Sequence, residues 1–268
     1  MKTNEFNVAV ISCIRNCSNH LEESFFHIKE FQSLFKSVAF FGAENDSIDN
    51  SFEIAKKYSS SLNGEIFKFK DLSSLYKIRT HRLAFLRNFL LNKSRVYDYV
   101  IVIDMDSIMK NFDINGLKSC FEYDLNSWDG LGANCNNKYY DIWTLRNDSL
   151  NYDCWDRVNH EVQNGRLRQF SIKDHVSKHQ IKISPSSELI PVKSCFGGMM
   201  IYKTSSLINC NYSGVPKKCE SSKIKWNTLC ISEICEHVNL NYEAIEKNKA
   251  KFFINSNLIV NCQLEHLH

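Results

Sequence analysis

The chain has 268 residues, of which 43% are hydrophobic and 24% are charged, and its formal net charge is +3. These values are ordinary for a globular protein, and the small net charge argues against nucleic acid as the main partner. Only 9 Gly and 3 Pro are present, which excludes long linkers and collagen-like repeats. The length suits one α/β domain, or one such domain with a small appendage.

The cysteines and the apolar stretches indicate where the protein is expected to reside. Eleven cysteines stand at irregular spacings without a C-x₂-C pair, so neither a structural zinc site nor a disulfide framework is expected. The first residues lack the apolar segment of a signal peptide, and no apolar stretch reaches about 18 residues. We therefore expect a cytoplasmic protein without a transmembrane segment.

The first 70 residues predict a β-α-β-α-β order. Apolar runs at 7–14, 37–41 and 65–69 predict strands. Helical patterns predict a helix over 21–35, capped by Asn19, and a second one ending near Tyr58, capped by Asp49 or Asn50. This order predicts a parallel sheet with right-handed crossovers. The polar residues after each strand, including a turn at 42–47, then meet at the edge where open α/β sheets bind ligands.

Residues 77–92 predict a helix that carries an unusual set of arginines. Arg79, Arg82 and Arg87 recur at spacings of three to five residues, beside a stripe of leucines. One interpretation is a solvated basic face. The other is that these guanidinium groups hold a neighbouring carboxylate or grip phosphate oxygens in a bidentate manner.

Two carboxylates follow the strongest strand pattern of the chain. Residues 97–103 form an aromatic and β-branched run that predicts a strand buried on both faces. Asp104 and Asp106 come next, and residues i and i+2 of an extended segment project to the same side. Paired carboxylates at such an edge suit Mg²⁺ or Mn²⁺ carrying a diphosphate, although they are also able to cap the following turn.

The second half of the chain contains aromatic, glycine and acidic features. Residues 128–134 predict another strand. Residues 139–146 are rich in aromatic side chains, which suit either a sugar ring or the core. Residues 150–185 predict an excursion over the site. Residues 191–202 predict one strand interrupted by Gly197 and Gly198. Glu233 and His237 share a face if their segment is helical, with His237 either a metal ligand or a structural residue. Residues 264–268 are assigned no function.

Five segments in this order resemble GT-A nucleotide-sugar glycosyltransferases, most closely the fungal capsule mannosyltransferases of the cryptococcal type. Similar segments recur in glycosyltransferase domains of giant algal viruses and some bacteria. The matching segments are residues 82–88, 98–106, 139–146, 195–198 and 235–237. The resemblance implies an α/β, Rossmann-like GT-A fold with a mostly parallel central sheet flanked by helices. It also implies one domain over residues 1–268, with a nucleotide-binding half to about 125 and an acceptor-binding half from about 126.

The resemblance implies that the protein moves a sugar from a UDP- or GDP-linked donor to a hydroxyl group of a glycan or glycoconjugate. Asp106 would ligate Mn²⁺ or Mg²⁺, Asp104 would hold the ribose or the metal, and His237 would be the third protein ligand. The expected nucleotide-binding residues are Ile11, Ser12, Cys13, Arg15, Glu44, Asp46, Arg79, Arg82, Arg87, Asp104 and Met105. The expected substrate-binding residues are Asn134, Tyr140, Trp143, Arg146, Gly197 and Gly198.

The reaction course and two other functions stay open at this point. An inverting transfer needs a carboxylate base, for which Glu233, Glu236 and Asp141 are the candidates, whereas a retaining route does not. A nucleotidyltransferase also uses paired aspartates, but residues 12–16 lack the glycines expected of its phosphate loop. The third hypothesis is a carbohydrate-binding or scaffold protein with a degenerate site.

Overall fold

The structure is a computed structural model that describes residues 3–216 and 233–268. Strands and helices alternate through the first half of the chain, and the second half adds four further strands and a helical excursion. The elements are β1 (Asn7–Ile14), α1 (Ser18–Glu30), β2 (Ser37–Asn45), α2 (Ser51–Ser59), β3 (Glu65–Phe69), α3 (Leu72–Leu75), α4 (Arg79–Ser94), β4 (Tyr99–Ile103), α5 (Ile114–Ser119), β5 (Gly130–Cys135), α6 (Cys154–Gln163), α7 (Arg168–His175), β6 (Ile190–Val192), β7 (Met199–Lys203), α8 (Glu236–Asn248) and β8 (Phe252–Val260).

The described strands form one mixed sheet in the order β3-β2-β1-β4-β7-β5-β8-β6. The β1–β2, β1–β4, β2–β3 and β5–β8 pairings are parallel, whereas β7 is antiparallel to β4 and β5, and β6 is antiparallel to β8. The sheet is therefore mostly parallel, which confirms the expected α/β class. The change of direction beside β4 places the end of that strand next to the loop that enters β7.

Apolar clusters pack on both faces of the sheet. Successive residues of a strand point to opposite sides, so one strand contributes residues to both clusters. Val8 and Val10 of β1 pack in a cluster with apolar residues of α1, whereas Ala9 and Ile11 pack in a second cluster with leucines of α4. The central strand β4 is buried along its whole length, with the pattern YVIVI. This explains why it reads as a continuous apolar run rather than as an alternating one.

Several predicted elements differ from those observed. Strands β1 and β3 have the predicted bounds, but β2 continues through Asn45, so the turn predicted at 42–47 starts too early. Helix α1 begins at Ser18 with Cys17 as the N-cap, so Asn19 lies inside its first turn and is not the cap. The helix ends at Glu30, where a 3-10 turn follows. Sequence periodicity locates such ends poorly, because helix ends fray and caps depend on tertiary contacts.

Two interpretations of the second half differ from the structure, because local pattern specifies neither strand pairing nor the start of a helix. Residues 191–202 are not one strand, because β6 pairs with β8 while β7 pairs with β4 and β5. Gly197 and Gly198, with φ of 67° and 89°, turn the chain between them. Helix α8 begins only at Glu236, so Glu233 does not share a helical face with His237.

Across residues 3–216 and 233–268, no helix has the length and apolar character needed to span a bilayer.

Candidate active site

Two adjoining cavities lie where β1 and β4 end. The larger has a volume of about 350 Å³ and the smaller about 240 Å³. The residues that line both of them are Arg79, Leu83, Arg87, Asp104 and Asp106. The acidic motif therefore stands at the border between two spaces, and a ligand that spans the border passes both of its carboxylates.

The carboxylates of the acidic motif have different surroundings. Asp104 extends the β4–β7 ladder, since its N–H donates to the Gly198 carbonyl oxygen at 2.9 Å, and its Oδ1 accepts from Arg87 Nη2 at 2.9 Å. Asp106 has a buried Oδ1 atom that makes no hydrogen bond to any residue that the structure describes. Burial and the neighbouring Asp104 charge raise the pKa of Asp106 to about 7. Two close carboxylates with one unsatisfied oxygen are a site of high negative potential.

Arg87 of α4 connects Asp104 with the start of α8. Its side chain is 6% exposed and forms ion pairs with Asp104 and with Glu236, whose side chain is 3% exposed. Burial alone would lower the pKa of Arg87, but the Asp104 charge helps to raise it above its usual value. Phe196 lies against the guanidinium group, with its ring centre 5.3 Å from Cζ. The network holds the acidic motif against α4 and α8.

The smaller cavity is rich in guanidinium groups. Arg15, Arg79 and Arg82 line it together with Cys13 and Met105. Burial and the charges of Arg15 and Arg79 lower the pKa of Arg82, which shows that these cations lie close enough to repel one another. A cluster of arginines suits an anionic ligand such as a phosphate.

Four expected nucleotide-binding residues do not line this cavity. Ser12 is buried and its hydroxyl donates to the Cys13 carbonyl oxygen. Glu44 is buried in the extended β2 and accepts from the N–H of Ser47, whereas Asp46 accepts from the N–H and hydroxyl of Ser73. Because β2 runs on, Asn45 takes the lining position instead. Ile11, the other residue expected there, belongs to the core.

His237 lies at the start of α8, beside the larger cavity. Its ring stacks on Phe196 with centroids 3.9 Å apart and meets Tyr212 edge to face at 5.3 Å. Burial, followed by the charges of Arg87 and Arg79, holds its pKa well below the usual value, so the imidazole is neutral. Neither ring nitrogen has a hydrogen-bond partner among the described residues. A neutral imidazole has a nitrogen lone pair that is able to bind a metal ion.

The donor set fits a divalent cation only in part. In the described part of the chain, no three His, Cys, Asp or Glu side chains are arranged to hold a metal ion. However, Mg²⁺ and Mn²⁺ need only one or two protein carboxylates when a diphosphate supplies further oxygens. Asp104 and Asp106 meet that lower requirement, because the unsatisfied Asp106 oxygen and the repulsion between the two carboxylates favour a bound cation.

The three candidate bases are in different situations. Asp141 lines the larger cavity and accepts from the N–H of Gly197 at 3.0 Å and the hydroxyl of Thr144 at 2.9 Å, and burial raises its pKa. Glu236 also lines this cavity, but it is paired with Arg87. Glu233 lines neither cavity and accepts from the Thr80 hydroxyl at 2.8 Å.

The residues expected to bind substrate divide into two groups. Tyr140 and Trp143 line the larger cavity. Asn134 does not, because its Nδ2 donates to two carbonyl oxygens inside the fold, and Arg146 does not, because it is buried in an ion pair with Asp153 at 3.2 Å. Gly197 and Gly198 form the turn behind the acidic motif rather than the cavity wall. A Cβ atom at Gly198 would meet Ile108 Cδ1 at 2.4 Å.

Sequence reasoning missed much of the wall of the larger cavity. The additional lining residues are Leu83, Ile142, Thr144, Trp155, Val176, Gln180, Phe196, Cys235, Gln263, His266 and His268. Trp155, Val176 and Gln180 come from the predicted excursion, which has little periodicity. Residues 264–268, to which the sequence assigned no function, contribute two of the lining side chains. Only the aromatic character of Trp155 was a signal for its place.

The same fold occurs in solved structures of glycosyltransferases. The mannosyltransferase PcManGT from Pyrobaculum calidifontis, in complex with GDP-Man and Mn²⁺, aligns with a TM-score of 0.55 and 10% identity over 96% of this chain and 57% of that one. S. aureus TarS 1–349 aligns with a TM-score of 0.54 and 14% identity over 95% of this chain and 59% of that one. TarS 1–349 in complex with UDP-GlcNAc aligns with a TM-score of 0.53 and 14% identity over 95% of this chain and 57% of that one.

These likenesses establish a GT-A-type fold for the chain, as expected from the sequence. At 10% to 14% identity they establish the fold alone, and the chain spans 57% to 59% of the length of those structures. No known protein family and no curated protein sequence matches the chain.

Proposed function

We propose that the protein is a metal-dependent glycosyltransferase that moves a hexose-type sugar from a UDP- or GDP-linked donor to a hydroxyl group of a glycan or glycoconjugate. The observation that carries the proposal is the position of Asp104 and Asp106 between an arginine-lined cavity and an aromatic-lined one. In a GT-A-type fold, this arrangement separates a place for the nucleotide from a place for the sugars. The nine cysteines of the described residues are free thiols, which supports a cytoplasmic location.

The smaller cavity is the proposed nucleotide-binding half of the site. Arg15, Arg79 and Arg82 provide guanidinium groups for the diphosphate, and Asn45 provides an amide at the end of β2. Asp104 and Asp106 are the proposed ligands of Mn²⁺ or Mg²⁺. His237, which the resemblance implied as a third protein ligand, does not form a three-residue donor group with them in the described part of the chain, so the diphosphate would supply the remaining oxygen ligands. When bound, such an ion supplies positive charge that stabilises the diphosphate leaving group.

Asp141 is the proposed base if the transfer inverts the configuration. Burial raises its pKa, and a carboxylate with a raised pKa is a stronger proton acceptor once it is ionised. Glu236 is a weaker candidate, because its carboxylate is held in a buried ion pair with Arg87. Glu233 lines neither cavity. A retaining course needs no such base and is the alternative outcome.

The test is a panel of nucleotide sugars with Mn²⁺, in which release of nucleoside diphosphate is measured for the native chain and for Asp106→Ala. We expect one donor to be hydrolysed slowly without an acceptor, and we expect this activity to be lost in the variant. Asp148→Ala is the matched control, because the Asp148 side chain is 98% exposed and lines neither cavity.

The outcomes separate the proposed function from its alternatives. A second assay supplies a nucleoside triphosphate and a sugar phosphate. Release of diphosphate in that assay, without release of nucleoside diphosphate from the nucleotide sugars, would indicate a nucleotidyltransferase. If the protein shows no turnover and no calorimetric binding of UDP or GDP, the proposal of a glycosyltransferase is contradicted and the scaffold hypothesis remains.

A further inference from the structure

Residues 263–268 lie against the larger cavity. Gln263 lines this cavity together with Asp106, and the side chains of His266 and His268 line the wall further along. Leu267 is extended, with φ of −82° and ψ of 135°, so the residues on either side of it project in the same direction. The segment therefore begins at the acidic motif and presents two imidazole rings further along the same cavity.

One buried glutamine holds this segment in place. Gln180 is 3% exposed, and its Nε2 donates to the carbonyl oxygens of Tyr140 at 3.2 Å and His266 at 2.7 Å. Its Oε1 accepts from the N–H of His268 at 2.9 Å. The hydrogen bonds of this buried amide thus join two walls of the cavity. Their loss would leave buried polar groups unpaired and would destabilise the fold.

The two imidazole rings complete a set of aromatic side chains. His266 stacks on Tyr140, with centroids 5.8 Å apart and an interplanar angle of 21°, and His268 meets Trp155 edge to face at 5.3 Å. Trp143 lines the same cavity, and its Nε1 is directed to Asp153 at 2.9 Å. Ring faces with polar edges suit the apolar C–H faces and hydroxyl rims of a sugar.

The position of this wall relative to the acidic motif indicates which sugar it contacts. A donor sugar is attached to the diphosphate, so it lies beside Asp104 and Asp106, where the two cavities meet. Trp155, Gln180 and His268 line only the larger cavity and come from α6, the loop after α7 and the segment 263–268. They are absent from the arginine-lined side, so the space that they enclose is available to a second molecule.

We propose that Trp155, His266 and His268 form the acceptor subsite, that it binds a sugar ring, and that Gln180 is the residue that positions it. This inference rests on the proposed function and assigns it a substrate class and four further residues. His266 and Trp155 contact the acceptor sugar, whereas Gln180 acts through the segment 263–268.

The experiment uses the full chain with UDP or GDP and Mg²⁺, since Mn²⁺ is paramagnetic and broadens NMR lines. Saturation-transfer NMR is recorded with the methyl glycosides of mannose, glucose, galactose and N-acetylglucosamine. We expect a signal from at least one glycoside in the native protein and a decrease of about tenfold in its affinity in Trp155→Ala and in Gln180→Leu. Phe170→Ala is the matched control, because Phe170 is 49% exposed on α7 and lines neither cavity.

Two further measurements separate positioning from a general loss of structure. The dissociation constant of the nucleotide is expected to stay within about twofold in both variants. The melting temperature is expected to stay within about 4 °C in Trp155→Ala and to fall further in Gln180→Leu, which leaves the buried partners of Gln180 without their hydrogen bonds. Gln180→Glu keeps the acceptor for the His268 N–H but not the two donated hydrogen bonds, so we expect partial binding of the glycoside.

Each outcome has a definite meaning. Nucleotide binding without a glycoside signal in the native protein, or equal signals in the native protein and Trp155→Ala, overturns the acceptor subsite alone. An absence of nucleotide binding in the native protein overturns the proposed function itself. A parallel loss of nucleotide affinity and melting temperature in Gln180→Leu shows that Gln180 is only structural.

Discussion

Arg87 joins three parts of the candidate site through one guanidinium group. It belongs to the set of arginines that sequence spacing marked as possible partners of a carboxylate, and the structure places it 2.9 Å from Asp104. The sequence did not indicate its second partner, Glu236, which lies 149 positions later in the chain. Glu236 was expected only as a base, whereas its buried ion pair shows that it also supports the acidic motif through Arg87.

Removal of this guanidinium group is expected to destabilise the fold strongly. Arg87→Met leaves Glu236 buried without its counter-charge, which costs about 3–5 kcal/mol in the free energy of unfolding. Urea unfolding of the two proteins measures the difference. Arg82→Met is the matched control, because Arg82 is less buried and donates its hydrogen bond to the Tyr76 carbonyl oxygen.

The double variant Arg87→Met/Glu236→Gln identifies the cause. If the unpaired carboxylate is responsible, the second substitution restores part of the lost stability. Equal losses in Arg87→Met and Arg82→Met would show that the ion pair is not the source of the stability.

At the scale of elements, the turn that enters β7 shapes the acidic motif. The Gly198 carbonyl oxygen accepts from the N–H of Asp104, so the glycine turn and the end of β4 are fixed to each other. Gly197 donates its N–H to Asp141, a candidate base. Both glycines have positive φ, and both lie against other groups at distances that leave no space for a Cβ atom. Glycine in a strand often marks a bulge or a close approach by a ligand, whereas these two glycines lie against protein atoms of Ala133 and Ile108.

Gly198→Ala is therefore expected to disturb both stability and the acidic motif. Its positive φ costs roughly 1–3 kcal/mol for a residue with a Cβ atom. Contact with Ile108 adds about 1–3 kcal/mol by overpacking. Gly165→Ala is the matched control, since Gly165 has φ of 90° but no atom within 4 Å of its Cβ position. Urea unfolding and the affinity for UDP or GDP with Mn²⁺ measure the two effects.

The comparison isolates the steric contribution. We expect both variants to lose stability, but only Gly198→Ala to lose nucleotide affinity. Identical behaviour of the two variants would mean that backbone strain alone matters and that Gly198 has no particular relation to Asp104.

At the scale of the whole molecule, the sheet brings distant segments to one edge. The parallel strands β1 and β4 carry Arg15, Asp104 and Asp106 to the border of the two cavities. The antiparallel β7 and the parallel β5–β8 pair then bring the aromatic segment and residues 263–268 to the other side of that border. A ligand at this edge contacts both halves of the chain, so its binding is coupled to the stability of the entire fold.

Nucleotide and metal together are expected to stabilise the folded protein. A ligand present at about one hundred times its dissociation constant adds about 2.7 kcal/mol to the free energy of unfolding. The melting temperature is measured with Mn²⁺ and UDP or GDP, and again after addition of EDTA. We expect an increase that EDTA reverses and that is absent in Asp106→Ala but retained in Asp148→Ala. A nucleotide-induced increase that persists after EDTA would contradict the metal dependence.

The sequence by itself determined the elements whose pattern is local. The runs of β1 and β4 predict their strands because a strand buried on both faces leaves a continuous apolar stretch, and the acidic pair is visible because it follows such a stretch directly. The arginines of α4 are visible through their helical spacing. The α/β class and the GT-A-type fold also followed from the sequence, the class from the order of these elements and the fold type from their resemblance to known enzymes.

Only the tertiary structure decided which side chains meet. It placed Arg146 in a buried ion pair, directed Glu44 and Asp46 away from the smaller cavity, and left Glu233 outside α8. It also brought the segment 263–268 to the larger cavity. The physical reason is that these contacts join residues far apart in the chain through strand pairing and buried hydrogen bonds, for which local periodicity contains no information.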